Sequence, residues 1–283
     1  MELELSFAQH IEVLASDLEQ TKSETYQEIK RWYNGYSWDG ETFVYNPFSV
    51  LQLLEMKKFS AHWFATGTPT FLIKLLNKFN DFTPVLENKI TEYEGFENTQ
   101  SLENMQMVPL FFQTGYLTIK KYFPKEGKYE LQIPNEEVRV SLLNSIIKTF
   151  VTLQEKDLRI VSQKIYTAFS EHDLVTAIEY LKTVYSNASY HDGIYNEGYY
   201  HNLFEIIAKF SGIDIVIESR TDLGRADSIL RFSDKTYVIE MKYSPTIEGL
   251  TAASEEAMQQ IKEKKRNMRN PGFIRVKKCI CWR

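Results

Sequence analysis

Two acids and one lysine near the carboxyl end of the sequence, Asp227, Glu240 and Lys242, have the types and spacing to use a divalent cation. Glu240 and Lys242 lie in TYVIEMKYS, residues 236–244, whose β-branched and aromatic residues predict a strand. Successive side chains of a strand point to opposite faces, so these two charged groups share one face, about 6.6 Å apart. Asp227 begins the preceding predicted strand, and it comes close to Glu240 if the strands form a meander.

Carboxylates beside a lysine favour the hydrolysis of a phosphate ester. Mg²⁺ prefers oxygen ligands, and Asp227 and Glu240 could supply two of them. The metal would activate a water and offset charge that develops on a phosphate, while the Lys242 ammonium helps to stabilise that charge. Glu205, on the helix before the sheet, could hold the metal through a water, and Gln260, on the helix after it, could orient the water or Lys242. Alternatively, Glu240 and Lys242 form a solvated charge pair on an exposed strand face.

The residues around this group predict an α/β segment. EGYYHNLFEIIAKFSG, residues 197–212, has the spacing of a helix that ends at Gly212. Three short strands separated by turn residues follow, and then a long helix. The predicted strands are 214–220, 226–232 and 236–244, and the helix is 248–268.

The earlier part of the chain is mainly helical in pattern. Asn46 and Asn135 are predicted helix caps, the first followed by a proline suited to the first turn. Residues 107–134 predict two strands joined by a turn at 124–127, and with the flanking helices they suggest a winged-helix-like unit. Predicted helices cover residues 1–32, 46–59, 68–79, 135–154 and about 160–187.

Composition restricts the class of protein. The chain has 283 residues, 43% of them hydrophobic and 25% charged, which is typical of a globular protein. It has no apolar run of bilayer length and no basic start typical of a signal peptide. With only Cys279 and Cys281, which are predicted to be free thiols in a frayed tail rather than half of a zinc site, we expect a cytoplasmic location and no membrane partner.

Charge is distributed unevenly along the sequence. Residues 262–283 hold nine Lys and Arg and one acid, a net of +8, so a total of −5 leaves −13 for the first 261 residues. This basic segment could contact phosphates, or it could be a solvated helix and tail.

The chemistry-bearing residues, taken in order, resemble the PD-(D/E)XK nuclease superfamily: Glu205 on a helix, Asp227 after a glycine turn, Glu240 and Lys242 on a strand, and Gln260 on a helix. More narrowly, YYHNLFEIIAKFSGIDIVIESRTDLGRADSIL, YVIEMKYS and EEAMQQI resemble a bacterial family found behind an AAA-ATPase-like domain. The stretches WYNGYSWDG and VYNPFSVL resemble the end of that ATPase-like domain.

The resemblance implies a restriction-endonuclease-like core, a mixed sheet flanked by helices, so the expected class is α+β or α/β after a helical N-terminal region. It implies that Asp227 and Glu240 bind the metal, that Lys242 is the catalytic lysine, and that Glu205 and Gln260 support catalysis. The expected metal is Mg²⁺ or Mn²⁺. The expected domains are an ATPase-like tail at 1–106, a helix-hairpin-helix linker at 107–195 and a nuclease-like domain at 196–283.

Ala226 replaces the proline of the family pattern, and two further departures matter more. No G-x-x-x-x-G-K-[ST] phosphate loop occurs, so we expect no ATP binding by that route. After Lys265 the relatives continue into another hydrophobic strand, which this sequence matches poorly, so we expect that edge strand to be missing and the chain to be shortened or altered at both ends.

These observations favour a metal-dependent nuclease that acts on nucleic acid, with DNA the expected substrate. The rival interpretation is a catalytically inactive nuclease-fold module that binds nucleic acid or a protein partner, or that regulates one. A third possibility is simple binding of a phosphate backbone by the basic tail, with affinity that falls steeply as salt rises.

Overall fold

A computed structural model describes most of the chain. The exceptions are residues 1, 67–69, 80–81, 83–88, 93–106, 189–196, 218–227, 244–248, 250, 254, 260–279 and 283. The chain forms two compact units, Met1–Ser145 and Ile146–Arg283. None of the helices in the described part has both the length and the apolar character needed to cross a bilayer.

The first unit consists of helices and two small antiparallel sheets. Strands β1 and β2 pair with each other, and the other sheet has the order β3-β5-β4. Its helices are α1 Glu2–Ser6, α2 Ala8–Asp17, α3 Lys22–Tyr33, α4 Pro47–Met56, α5 Thr70–Phe79, α6 Met107–Gln113 and the start of α7 Glu136–Phe150, with a 3₁₀ turn at Trp63–Thr66. Its strands are β1 Asn34–Tyr36, β2 Val44–Tyr45, β3 Lys89–Glu92, β4 Thr118–Phe123 and β5 Lys128–Gln132.

The local signals predicted much of this unit correctly. Asn46 caps α4 by accepting from Ser49 N at 3.3 Å, and Asn135 caps α7 by accepting from Val138 N at 3.1 Å. The predicted hairpin is β4 and β5. The start of the segment predicted to form it is instead helix α6, and β3, which pairs with β5, was not predicted.

The second unit places helices around short strands. The helices are the end of α7, α8 Glu155–Ser170, α9 Leu174–Ser186 and α10 Glu197–Phe210, and residues 249, 251–253 and 255–259 are also helical. The strands are β6 Asp214–Ile217, β7 Ser228–Arg231, β8 Thr236–Ile239, β9 Met241–Tyr243 and β10 Ile280–Trp282. The helix predicted over about 160–187 is in fact two helices, because the chain turns at His172, which has a φ of 63°.

The strands confirm the predicted meander and correct two expectations. Strands β6, β7 and β8 form an antiparallel sheet in that order, with Ser228 opposite Ile239. The predicted strand over 236–244 is two strands, because the ladder with β7 ends at Ile239 and β9 pairs with β10 instead. The expectation of a missing edge strand was wrong, since β10 pairs with β9 in parallel and contains Cys281.

The hairpin of β7 and β8 is fixed to the end of α8. Buried Tyr237 donates its hydroxyl to Phe169 O at 2.7 Å, and His172 Nδ1 lies 2.9 Å from the same hydroxyl. Lys235, also buried, donates to Ser170 O, where a cation is favourable because the carbonyl end of a helix is negative. These bonds hold β8, which leads into Glu240. Overall, the predicted mixed α+β class is confirmed.

Candidate active site

Glu240 and Lys242 are in contact at the junction of two strands. Glu240 lies between β8 and β9, and Lys242 lies within β9. Lys242 Nζ is 3.7 Å from Glu240 Oε1. Glu240 is only 5% exposed and Lys242 is half-buried, so this is not the solvated surface pair of the alternative interpretation. Burial makes their attraction stronger than that of a surface pair, because water screens it less.

A second carboxylate, which the sequence interpretation missed, also approaches Lys242. Glu256 Oε1 lies 3.4 Å from Lys242 Nζ, and the Glu256 side chain is 61% exposed. The ammonium is therefore placed between a buried acid and a solvated one. The available signal was that Glu256 precedes Gln260 by four residues, a spacing that predicts one shared face in the helix expected over 248–268.

Glu205 lies on the buried face of α10, and α10 packs against β9. Glu205 is 4% exposed, and its Oε1 lies 2.7 Å from Nδ1 of His201, one helical turn earlier. That distance suits an ion pair when the ring is protonated, but neither atom is aligned for a hydrogen bond with a described residue. A buried carboxylate oxygen without a hydrogen-bond donor is energetically costly, so Glu205 Oε1 is suited to accept from a water or to bind a cation.

Tyr185 shows that the surroundings of Glu205 are buried. Its hydroxyl donates to Tyr200 O at 3.0 Å. Burial, and after it the negative charge of Glu205, raises the pKa of Tyr185 well above its usual value. The side chain is therefore a neutral hydrogen-bond donor at physiological pH, and no pattern in the sequence indicated it.

The remaining predicted site residues, Asp227 and Gln260, lie outside the described residues. Among those that are described, no three His, Cys, Asp or Glu side chains form a group able to hold a metal. The buried acids Glu205 and Glu240 nevertheless have the donor chemistry that Mg²⁺ and Mn²⁺ require, because both ions favour carboxylate oxygens.

The fold and these side chains define a class: a meander that leads into a buried acid, a lysine on the following strand, and a helix that bears a second buried acid and packs against that strand. Residues 195–274 match the PD-(D/E)XK nuclease superfamily, a range that includes every predicted site residue. The match confirms the predicted superfamily for this part of the chain, and it indicates a nuclease-type domain.

A curated relative matches a larger part of the chain. The "Uncharacterized protein in vnfD 5'region" of Azotobacter chroococcum mcd 1 is 34% identical over 245 residues, 84% of this chain and 46% of that protein. The chain therefore spans less than half the length of the relative. No solved structure matches the chain.

Proposed function

We propose that the chain hydrolyses phosphodiester bonds of nucleic acid, with DNA as the substrate and Mg²⁺ or Mn²⁺ as the metal. The observation that carries this proposal is the burial of Glu240 beside Lys242, with Nζ and Oε1 3.7 Å apart, inside the region that matches the nuclease superfamily. A buried acid in contact with a lysine is expensive to maintain for stability alone, because both charges lose hydration.

In this proposal Glu240 and Asp227 hold the metal, and Lys242 acts on the phosphate. Glu240 directly follows Ile239 in the chain, and Asp227 directly precedes Ser228. Ile239 and Ser228 are opposite each other in the sheet. This register supports a shared site for the two carboxylates. The metal, when bound, supplies an activated water and positive charge. The Lys242 ammonium stabilises negative charge on the scissile phosphate. Glu205 would hold the metal through a water, and Gln260 would orient the nucleophilic water or Lys242.

The proposal also includes features that only the resemblance supports. These are an association of the N-terminal region with an AAA-ATPase-like domain and the domains 1–106, 107–195 and 196–283. A cytoplasmic location, favoured by the cysteine content, and no use of ATP, favoured by the missing phosphate loop, are also part of the proposal.

The test is cleavage of labelled single- and double-stranded DNA and RNA by the purified chain with Mg²⁺ or Mn²⁺. We expect Asp227→Ala and Lys242→Ala to lose at least about 100-fold in rate, since each removes a group that acts on the transition state. Glu255→Gln, an exposed acid on the same helix as Glu256, is the control and should cleave as the wild type does.

Calorimetric titration with Mn²⁺ distinguishes chemistry from binding. Asp227→Ala should lose metal binding, whereas Lys242→Ala should keep it because the lysine is not a ligand. If the wild type cleaves none of the substrates, the proposed activity is wrong. A folded wild type that also binds no metal would favour the inactive binding module instead.

A further inference from the structure

We propose that the β4–β5 hairpin, residues 118–132, is a second nucleic-acid contact, which binds the phosphate backbone of a duplex. It lies in the first unit, whereas the candidate active site lies entirely in the second. None of its residues belongs to the candidate active site, so binding here does not require the metal or cleavage.

Positive charge is concentrated on this hairpin. Residues 1–145 hold 13 Lys and Arg against 20 Asp and Glu, a net of −7. The 15 residues of the hairpin hold four lysines and two glutamates, a net of +2, so the rest of the unit carries −9. A local cation cluster on an acidic body attracts a polyanion to one place and repels it elsewhere.

Three of the four lysines lie toward the tip and are placed to meet phosphates. Lys120 is engaged with Glu130, since its Nζ lies 2.6 Å from Oε1. Lys121 and Lys125 are exposed and Lys128 is half-buried. Lysine ammonium groups act as point charges on phosphate oxygens and carry no base specificity, so this surface is suited to the backbone.

The strand register puts two of these lysines on one face. Phe123 is opposite Lys128, and Lys121 is two residues before Phe123, so the side chains of all three point to the same side. Lys121 Nζ lies 4.9 Å from the centre of the Phe123 ring, a cation–π contact that helps to hold the ammonium group on this face.

Aromatic stacking stiffens the other face of the hairpin. The rings of Tyr122 and Tyr129 are stacked with their centres 4.6 Å apart and their planes at 24°. Because the two rings face each other, they favour a rigid tip over a platform for unpaired bases. This is the reason to expect a duplex rather than a single strand.

The hairpin is anchored at its base and free at its tip. Strand β5 is paired on both sides, with β3 and β4, so the hairpin is part of a three-stranded sheet. At the tip Gly127 has a φ of 61°, and a Cβ added there would meet no atom within 4 Å. Pro124, Lys125 and Glu126 are also exposed, so a duplex can approach the turn.

The test measures binding of a fluorescent 30-base-pair duplex by anisotropy in EDTA, where metal-dependent cleavage cannot occur. We expect Lys121→Gln/Lys125→Gln/Lys128→Gln to lower the slope of log affinity against log salt by about 2–3, because each lost phosphate contact removes about 0.9. At one fixed salt concentration the affinity should fall at least about tenfold.

The control is Lys30→Gln/Lys58→Gln/Lys74→Gln, which removes the same charge from exposed lysines elsewhere in the same unit. It should keep the wild-type salt slope. Equal losses in the two variants, or a hairpin variant that binds as the wild type does, would overturn the proposal. So would binding to phosphatidylserine vesicles without binding to the duplex, or tighter binding to a single strand that Tyr122→Leu abolishes.

This experiment is independent of the proposed nuclease activity. A wild-type chain that cleaves no substrate, but whose hairpin variant still loses salt slope in EDTA, would refute the nuclease activity alone. Conversely, a chain that cleaves normally but ignores the hairpin substitutions refutes the second contact alone.

Discussion

Tyr237 is the side chain that fixes the β7–β8 hairpin to helix α8, and removing its hydroxyl tests that docking. The ring is fully buried and contacts Phe169 and Phe232 edge-on, so Tyr237→Phe keeps the packing and deletes only the oxygen. Two groups then lose their partner: the Phe169 carbonyl, at 2.7 Å, and His172 Nδ1, at 2.9 Å.

The magnitude follows from those two contacts. A net hydrogen bond contributes about 1 kcal/mol, and a buried group left without a partner costs about 1–3 kcal/mol. His172 is exposed and can turn to water, so the Phe169 carbonyl should account for most of the loss. We therefore expect the free energy of unfolding to fall by about 2 kcal/mol.

Urea unfolding followed by circular dichroism measures this change. Tyr166→Phe is the matched control, since Tyr166 lies on α8, is 41% exposed and also contacts Phe232. It should alter the free energy of unfolding by less than about 0.5 kcal/mol. If Tyr237→Phe were no less stable than Tyr166→Phe, the hydroxyl would not be what holds the hairpin on α8.

Two further predictions concern the first unit. Glu137 is completely buried and accepts hydrogen bonds from Ser49 Oγ and Trp63 N. Burial raises the pKa of its carboxyl group. The contribution of this group to the free energy of unfolding is therefore fully present below the unfolded-state pKa and is lost as pH rises through the folded-state pKa. Glu137→Gln should therefore gain stability relative to the wild type as pH rises above the ordinary glutamate pKa, about 4.3, in urea unfolding, and a difference that is flat with pH would contradict this. Gly35 has a φ of 124°, and an added Cβ would lie 1.9 Å from Pro134 O, so Gly35→Ala should lose more than about 3 kcal/mol. Gly127→Ala is the control, because Gly127 also has a positive φ but an added Cβ would meet no atom within 4 Å. If both variants lowered the melting temperature equally, the clash at Gly35 would be refuted.

Local sequence determined the elements that depend on near neighbours. Asn46 and Asn135 cap helices because a short polar side chain reaches a backbone N–H three residues ahead, and that geometry needs no distant partner. In the same way, Tyr237 and Ile239 share one face of β8, because successive side chains of a strand point to opposite faces. The sequence separation of two also placed Glu240 and Lys242 near each other, although the structure puts Glu240 between β8 and β9.

Only the tertiary structure decided which of these groups are buried and what they meet. Before Glu240, strand β8 pairs with β7, and after it, strand β9 pairs with β10. This change of partner depends on residues about 40 positions away, and no local pattern specifies it. The approach of Glu256 to Lys242 and the burial of Glu205 on α10 depend on how helices pack on strands. The spacing of side chains is set by the covalent chain, whereas burial and charge contacts are set by long-range packing. The acids and the lysine could therefore be predicted from the sequence, but their burial and their contacts could not.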